Sequence, residues 1–519
     1  MFGAKVHRTI YFVLLALLGG CMVTSTGMSN VVWVLLVANW FLEGWSRPNE
    51  SNWSSGWREK WQMAKESRLL QAVLVLALLY VIKTLTDTPS DLVLKVLRTK
   101  MPLLLVPLVI LTTPPPEKRA RSIILWVYVT TVTIVTLMAV VRMITHPELP
   151  YRDLLPFMIH LRYALHCSAA FFICLLEPPR GRWRYAAYGL ALWMVAFLVL
   201  VHSVTGFVML AVASLVVILC RKRNRKWVIA WLAAAGIVAA FCLVNIHSYY
   251  HLCPLAQEPL RAVTANGRPY THQGDGFIEC GNYVHNYICS DELYSQWSQR
   301  SSVSLDSVTP SGYTLTPVLI RYLNALGLTK DSAGVAALTD SQVADIEQGY
   351  ANPVYAHGLL PKQIIYKLLF EYENYRHYDV SEGFTMLQRI ELWQAAWRVA
   401  NRHPWLGNGF YHINEDLNDE LHAMQSPLSD GDFHVHSQYL LWLIAFGRIG
   451  FVVILLAFLR ASSALRRQPP LLLAVTVIIL ISFLTETPLG LLAECLFCVW
   501  FFAFRSGKNP SSADYPSAN

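Results

Sequence analysis

The chain has 519 residues, of which 54% are hydrophobic and 15% charged, and its net charge is +8. Its mean hydropathy is +0.38. A soluble domain carries about 25% charged residues, so the composition excludes a soluble globular protein. It points instead to repeated apolar runs of about 20 residues, the length a hydrocarbon core of roughly 30 Å demands. The positive charge does not indicate a nucleic-acid partner, because the basic residues fall in short clusters between apolar runs, as in cytoplasmic loops.

Lys5 and Arg8 precede an apolar run from Thr9 to about Met28. The run is long, lacks a small-x-small cleavage site and is followed at once by another, so it reads as an uncleaved first helix rather than a signal peptide. Further runs fall at 30–44, 68–85, 91–112, 121–144, 153–176, 183–200, 202–220, 226–246, 436–460, 469–483 and 486–504. The chain is therefore predicted to be an all-α polytopic membrane protein with about twelve transmembrane helices. Basic residues concentrate in alternate loops, the 83–100 stretch excepted: Lys5 and Arg8; Arg47, Arg58, Lys60, Lys65 and Arg68; Lys118, Arg119 and Arg121; Arg180, Arg182 and Arg184; Arg221, Lys222, Arg223, Arg225 and Lys226; Arg460, Arg466 and Arg467; Arg505 and Lys508. That bias predicts cytoplasmic termini and an external segment of about 190 residues. Four regions result: an N-terminal membrane domain (1–246), a large, mostly helical external loop domain (247–435), C-terminal membrane helices (436–504) and a polar cytoplasmic tail (505–519).

Trp53, Trp57 and Trp61 recur every four residues among Arg and Lys, which predicts an interfacial helix at the cytoplasmic leaflet. In the external segment, Thr316–Gly327, Thr339–Gly349 and Pro361–Tyr378 read as helices. Thr316 before Pro317 suits an N-cap, Thr339 with Gln342 a capping box, and Gly349 a C-terminal cap. Most of the ten cysteines lie in or beside apolar helices. Outside the cell, Cys280 and Cys289 are candidates for a disulfide, and Cys253 leaves the pairing open.

Leu387–His403 reads as a helix ended by Pro404, with Arg389, Trp393, Trp397 and Ala400 on one face. The indoles suit the outer headgroup level, where a guanidinium can grip phosphate through paired hydrogen bonds; an ordinary amphipathic helix with a solvated arginine gives the same spacing. Pro404-Trp405-Leu406-Gly407-Asn408-Gly409-Phe410 forms a tight glycine turn, with no preceding strand to make it a nucleotide site. Next come His434 and His436, where the polar segment gives way to an apolar helix. Histidine is the side chain that exchanges a proton near neutral pH. On a helix these two would point roughly 200° apart; in an extended segment both could face one side. Asp430 and Asp432 are near enough in sequence to orient or recharge His436.

Arg389-x-x-Leu392-Trp393, His403-Pro404-Trp405-Leu406-Gly407-x-Gly409, His436-Ser437-x-Tyr439-Leu440 and Gly447-x-x-Gly450 resemble the bacterial O-antigen ligase and polymerase superfamily. So do the span arrangement, the large late loop and the closing Thr485-Glu486 span. The motifs cover about 389–504; over the first 245 residues only the topology matches. The resemblance implies an inverting, metal-independent membrane glycosyltransferase of the GT-C kind in the bacterial inner membrane, with its loop domain and active site periplasmic and no cofactor. It would move a glycan from an undecaprenyl diphosphate carrier to a sugar hydroxyl of lipid A–core, as a ligase does, or to a second carrier-linked repeat, as an O-antigen or capsule polymerase does. It also implies a functional histidine at the His436 position and arginines near the diphosphate. Two departures stand out: Ser437 replaces the usual asparagine, and His202-Ser203-Val204-Thr205-Gly206 lacks the arginine that ligases often carry there.

The chemistry asks for a general base within reach of the acceptor hydroxyl and fixed positive charge at the leaving diphosphate. His436 is preferred as base on the motif match, with His434 as its rival and a substrate contact. Arg389 comes first for the diphosphate and Arg162 second. Arg162 is read as lying inside its span on one face with His166. Arg142 and Arg152 are weaker candidates. Glu486 is a candidate sugar contact, and Arg448 and Glu494, within spans ten and twelve, read as interhelical pairing or snorkelling. A polysaccharide transporter or flippase is the alternative of another class, with Arg162 and His166 lining its path. It would require two halves with matching interrupted helices, and none are visible.

Overall fold

Apolar runs placed in lipid must satisfy their own backbone groups, which helices do within a single segment. The computed structural model of the chain describes residues 4–45, 56–146, 155–157, 160–220, 225–309, 314–378, 385–429, 431, 433–465 and 468–505. Trp53, Arg152, Asp430, Asp432 and the tail from Ser506 lie outside them. Apart from one two-stranded ribbon, the regular structure among the described residues is helical. Contacts divide the chain into two compact units, Met1–Val228 with Glu391–Asn519, and Ile229–Ile390.

The first unit begins with α1 (Ala4–Thr24) and α2 (Thr26–Glu43), joined at Ser25, whose hydroxyl accepts the Met28 N–H. In α3 (Trp57–Glu66) the Lys60 ammonium is buried 2.7 Å from the Glu43 carboxylate, and Trp61 is exposed. There follow α4 (Arg68–Asp87), α5 (Ser90–Leu111), α6 (Lys118–Thr145), α7 (His160–Leu176), α8 (Trp183–Leu200) and α9 (Val204–Cys220). α10 (Arg225–Tyr250) crosses the boundary between the units.

The second unit contains α11 (Pro254–Gln257), the ribbon Ile278–Glu279 with Asn282–Tyr283, α12 (Ser290–Arg300) and α13 (Leu315–Ala325). α14 (Ser332–Ala336), α15 (Asp340–Glu347), α16 (Pro353–His357) and α17 (Leu360–Tyr378) complete it. Its core packs Trp297, Leu319, Tyr322, Leu323, Val335 and Ile346. The capping box of Thr339 and Gln342 is present, and Gly349 follows α15 at φ +92°. The expected cap at Thr316 is instead Thr314; the Thr316 hydroxyl donates to the Leu305 carbonyl. The ten cysteines are free thiols, so the Cys280–Cys289 bridge is not formed. Each has its own setting: the Cys280 sulfur accepts from Asn352 Nδ2, and the Cys289 N–H donates to the Lys330 carbonyl. Burial pushes the Cys280 thiol up to about 12, which keeps it protonated and unreactive.

α18 (Thr385–Arg402) leads back into the first unit, followed by α19 (Ile413–Ala423), α20 (Gln438–Leu465), α21 (Pro470–Thr485) and α22 (Leu492–Trp500). α21 packs against both α7 and α9, α22 against α5 and α1, and α20 against α4. Among the described residues, six helices are long and apolar enough to cross a membrane: Lys5–Thr24, Arg68–Asp87, Lys118–Thr145, Trp183–Leu200, Arg225–Tyr250 and Gln438–Ser462. Shorter apolar helices lie at Lys100–Leu111, Arg162–Leu176, Val204–Cys220, Pro470–Thr485 and Leu492–Phe504. The protein is therefore a multi-pass, all-helical membrane protein.

One interlock fixes the late helices. α20 is broken at Gly447, whose φ is +63° and ψ −173°. The glycine turn after α18 fills the break: Asn408 N–H donates to Ile444 O (2.8 Å), and Arg448 N–H donates to Pro404 O (2.8 Å). Gly409 N–H reaches Ala445 O (3.1 Å), and Ile449 N–H reaches Trp405 O (3.2 Å). A broken helix at membrane depth requires such replacement partners. A Cβ on Gly407 would lie 2.5 Å from backbone atoms of Ala445 and Gly447, and its φ of +71° already disfavours a side chain. Gly407→Ala is therefore expected to destabilise the protein by about 2–4 kcal/mol, seen as a lowered Tm in detergent, whereas Gly189→Ala, at an open helical position, should leave Tm nearly unchanged.

Candidate active site

Phe433–Ser437 is non-helical, and α20 starts only at Gln438. His434 is exposed and His436 half-buried. His436 has φ +44°, a left-handed conformation that costs a non-glycine residue about 1–3 kcal/mol and needs surrounding structure to hold it. That structure is present. Trp393 Nε1 on α18 donates to the His436 carbonyl at 3.2 Å, so Trp393 serves as a clamp where a headgroup anchor was expected. Gln438 N–H donates to the Glu486 carbonyl at 3.0 Å, and the Ser437 hydroxyl to the Phe483 carbonyl at 3.4 Å. The buried Gln438 side chain accepts from Leu489 N–H (3.2 Å) and donates to the Tyr80 hydroxyl (3.4 Å). Trp442 Nε1 donates to the same hydroxyl at 3.1 Å. α4, α18 and α21 thus hold the backbone on either side of His436.

These constraints bring His436 to Glu486, which caps the C-terminus of α21. Nδ1 of the ring lies 3.6 Å from Glu486 Oε1. Glu486 also lines a narrow cleft of about 20 Å³ with Arg162, Leu165, Thr205, Met209, Ser482, Thr485, Pro488 and Glu494. α7, α9, α21 and α22 each contribute to its wall because α21 packs on both α7 and α9. Thr205 comes from the segment where ligases often carry an arginine, so that helix end still reaches the cleft.

Arg162 occupies the first turn of α7 rather than the interior of a span, and pairs with Glu494 in the first turn of α22. Its charge is thus already balanced. Glu494 thus pairs between helices, with Arg162, while the Arg448 guanidinium donates to Asn401 and lies over Trp405. His166, expected on one face with Arg162, is instead buried, bonded to the Tyr128 hydroxyl at 2.8 Å and edge-on to Phe497. Arg142 lies in the last turn of α6. Arg389 stands on α18 one turn before Trp393 and belongs to the second compact unit. Among the described residues no three of His, Cys, Asp and Glu converge as a metal site.

The carboxylate that faces His436 among the described residues is Glu486, expected as a sugar contact; Asp430 and Asp432, near neighbours of His436 in the chain, lie outside the described residues. The available signal was that His436 and Glu486 both fall at predicted external ends of spans, which places them at one depth.

Helix content and hydropathy define a multi-pass membrane protein, and in its first unit a glutamate that faces His436 lines a cleft together with an arginine and a second glutamate. Residues 348–455 match the family described as O-antigen ligase. The match supports the O-antigen ligase and polymerase superfamily, and Arg389, the Gly407 turn, His434, His436 and Gly447 all fall inside the matched segment. Comparison with curated proteins gives no match.

The Arg162–Glu494 pair is mostly withdrawn from solvent, so removing one partner leaves the other charge poorly compensated. Glu494→Gln is expected to cost about 1–3 kcal/mol of stability. The double variant Arg162→Ala/Glu494→Gln should cost less than the sum of the single losses, as read by chemical unfolding in a double-mutant cycle.

Proposed function

We propose that the protein is an O-antigen ligase: a GT-C-like glycosyltransferase of the bacterial inner membrane with about twelve spans, cytoplasmic termini and a periplasmic loop domain at 247–435. Its donor is a glycan on an undecaprenyl diphosphate carrier, and its acceptor is a sugar hydroxyl of lipid A–core. The observation that carries the reading is the position of Glu486, which lies 3.6 Å from His436 of the O-antigen ligase domain and also forms the wall of the cleft holding Arg162.

In the proposed reaction His436 accepts the proton of the acceptor hydroxyl. The freed oxygen pair forms a bond to the anomeric carbon of the donor, and the bond from that carbon to the diphosphate oxygen breaks with its electrons leaving on the carrier diphosphate. A single displacement inverts the anomeric centre. Arg162 stabilises the departing charge, exchanging Glu494 for phosphate oxygens as it does so. Arg389 is proposed as a second diphosphate ligand on the strength of the family resemblance alone. His434, exposed and two residues from the base, is proposed as a contact to the acceptor sugar. The reaction needs no metal ion or cofactor in this scheme.

A strain lacking the protein is expected to keep long glycan chains on the lipid carrier and to display bare lipid A–core, read by electrophoresis of surface glycan. Core capped by a single repeat would identify a polymerase instead, and unchanged glycan would exclude both. His436→Ala should abolish transfer by purified, folded protein, a loss of about 100-fold or more; full activity in that variant would remove the base.

A further inference from the structure

The geometry points to Glu486 as a positioning residue for the transfer reaction: its carboxylate holds the His436 ring through Nδ1, so that Nε2 is the nitrogen offered to the acceptor hydroxyl. This inference rests on reading His436 as the base and assigns Glu486 a role other than contact with sugar.

The pairing is built into the backbone. Gln438 N–H on the Glu486 carbonyl and Ser437 Oγ on the Phe483 carbonyl tie the start of α20 to the end of α21. Trp393 holds the His436 carbonyl from the other side. The left-handed backbone at His436 is the conformation these bonds maintain, and Nδ1 then faces Glu486 Oε1 at 3.6 Å. The gap exceeds a hydrogen bond but is within ion-pair reach, and bonds of this kind commonly tighten only once substrate is bound.

A carboxylate at that position does two things. It favours the tautomer with hydrogen on Nδ1, leaving the Nε2 lone pair free to accept a proton. It also offsets the charge of the imidazolium that forms when the acceptor proton arrives. The proton moves from acceptor oxygen to Nε2 and later to solvent, while the glycosidic electrons leave with the diphosphate. Within the cleft, Arg162 is paired with Glu494, so the two carboxylates divide the work, one on the cation and one on the imidazole.

The test uses full-length protein in detergent, a carrier-linked glycan donor and lipid A–core acceptor, with kcat and KM measured for each substrate. Glu486→Gln is expected to lower kcat about 10–100-fold and to leave both KM values essentially unchanged. Glu486→Asp should recover part of the loss, and it also serves as the readout if the glutamine variant fails to fold. In a His436→Ala background, Glu486→Gln should cause no further loss. A raised acceptor KM with unchanged kcat would make Glu486 a sugar contact and overturn the inference, as would multiplicative losses in the double variant. Wild-type kcat in Glu486→Gln beside an inactive His436→Ala would overturn the positioning role alone. Full activity in His436→Ala would overturn the base reading and this inference with it.

Discussion

The late half of the first unit depends on the exchange of backbone hydrogen bonds between a glycine turn and a broken helix. At Gly447 the i to i−4 ladder of α20 is interrupted, and the orphaned carbonyls and N–H groups are taken up by Pro404–Gly409. The two segments approach backbone to backbone, closer than any side chain allows, so both need glycine at the crossing. α4 closes over the joint: Lys83 donates to the Gly407 carbonyl, and Tyr80 stacks flat on Phe410 at 4.6 Å. The same Tyr80 hydroxyl receives Gln438 and Trp442. The lock at Gly447 and the setting of His436 at the head of α20 are thus parts of one rigid assembly.

Electrostatics in the cleft follows from where helices begin and end. Arg162 and Glu494 are in the first turns of α7 and α22, while Glu486 caps α21. Glu494 gains from the N-terminal dipole of its own helix as well as from Arg162. A charge buried in a membrane protein is tolerable when paired, and Arg162 and Glu494 supply that pairing to each other.

The amino-acid sequence by itself determined the membrane class, the helices and the motifs. Hydropathy over runs of about 20 residues is a local property, and so are the Thr339 capping box and the Gly407–Gly409 turn, whose signals lie within a few neighbouring residues. Partnerships were another matter. Arg162 with Glu494, His436 with Glu486, and Gly407 against Gly447 join positions distant in the chain, and their spacing carries no period that could announce them. His166 shares a helical face with Arg162 by sequence, yet its ring is taken by Tyr128 because α6 lies against α7. Tertiary structure decided these pairings because hydrogen bonds and ion pairs act over a few ångströms in space, whatever the separation along the chain.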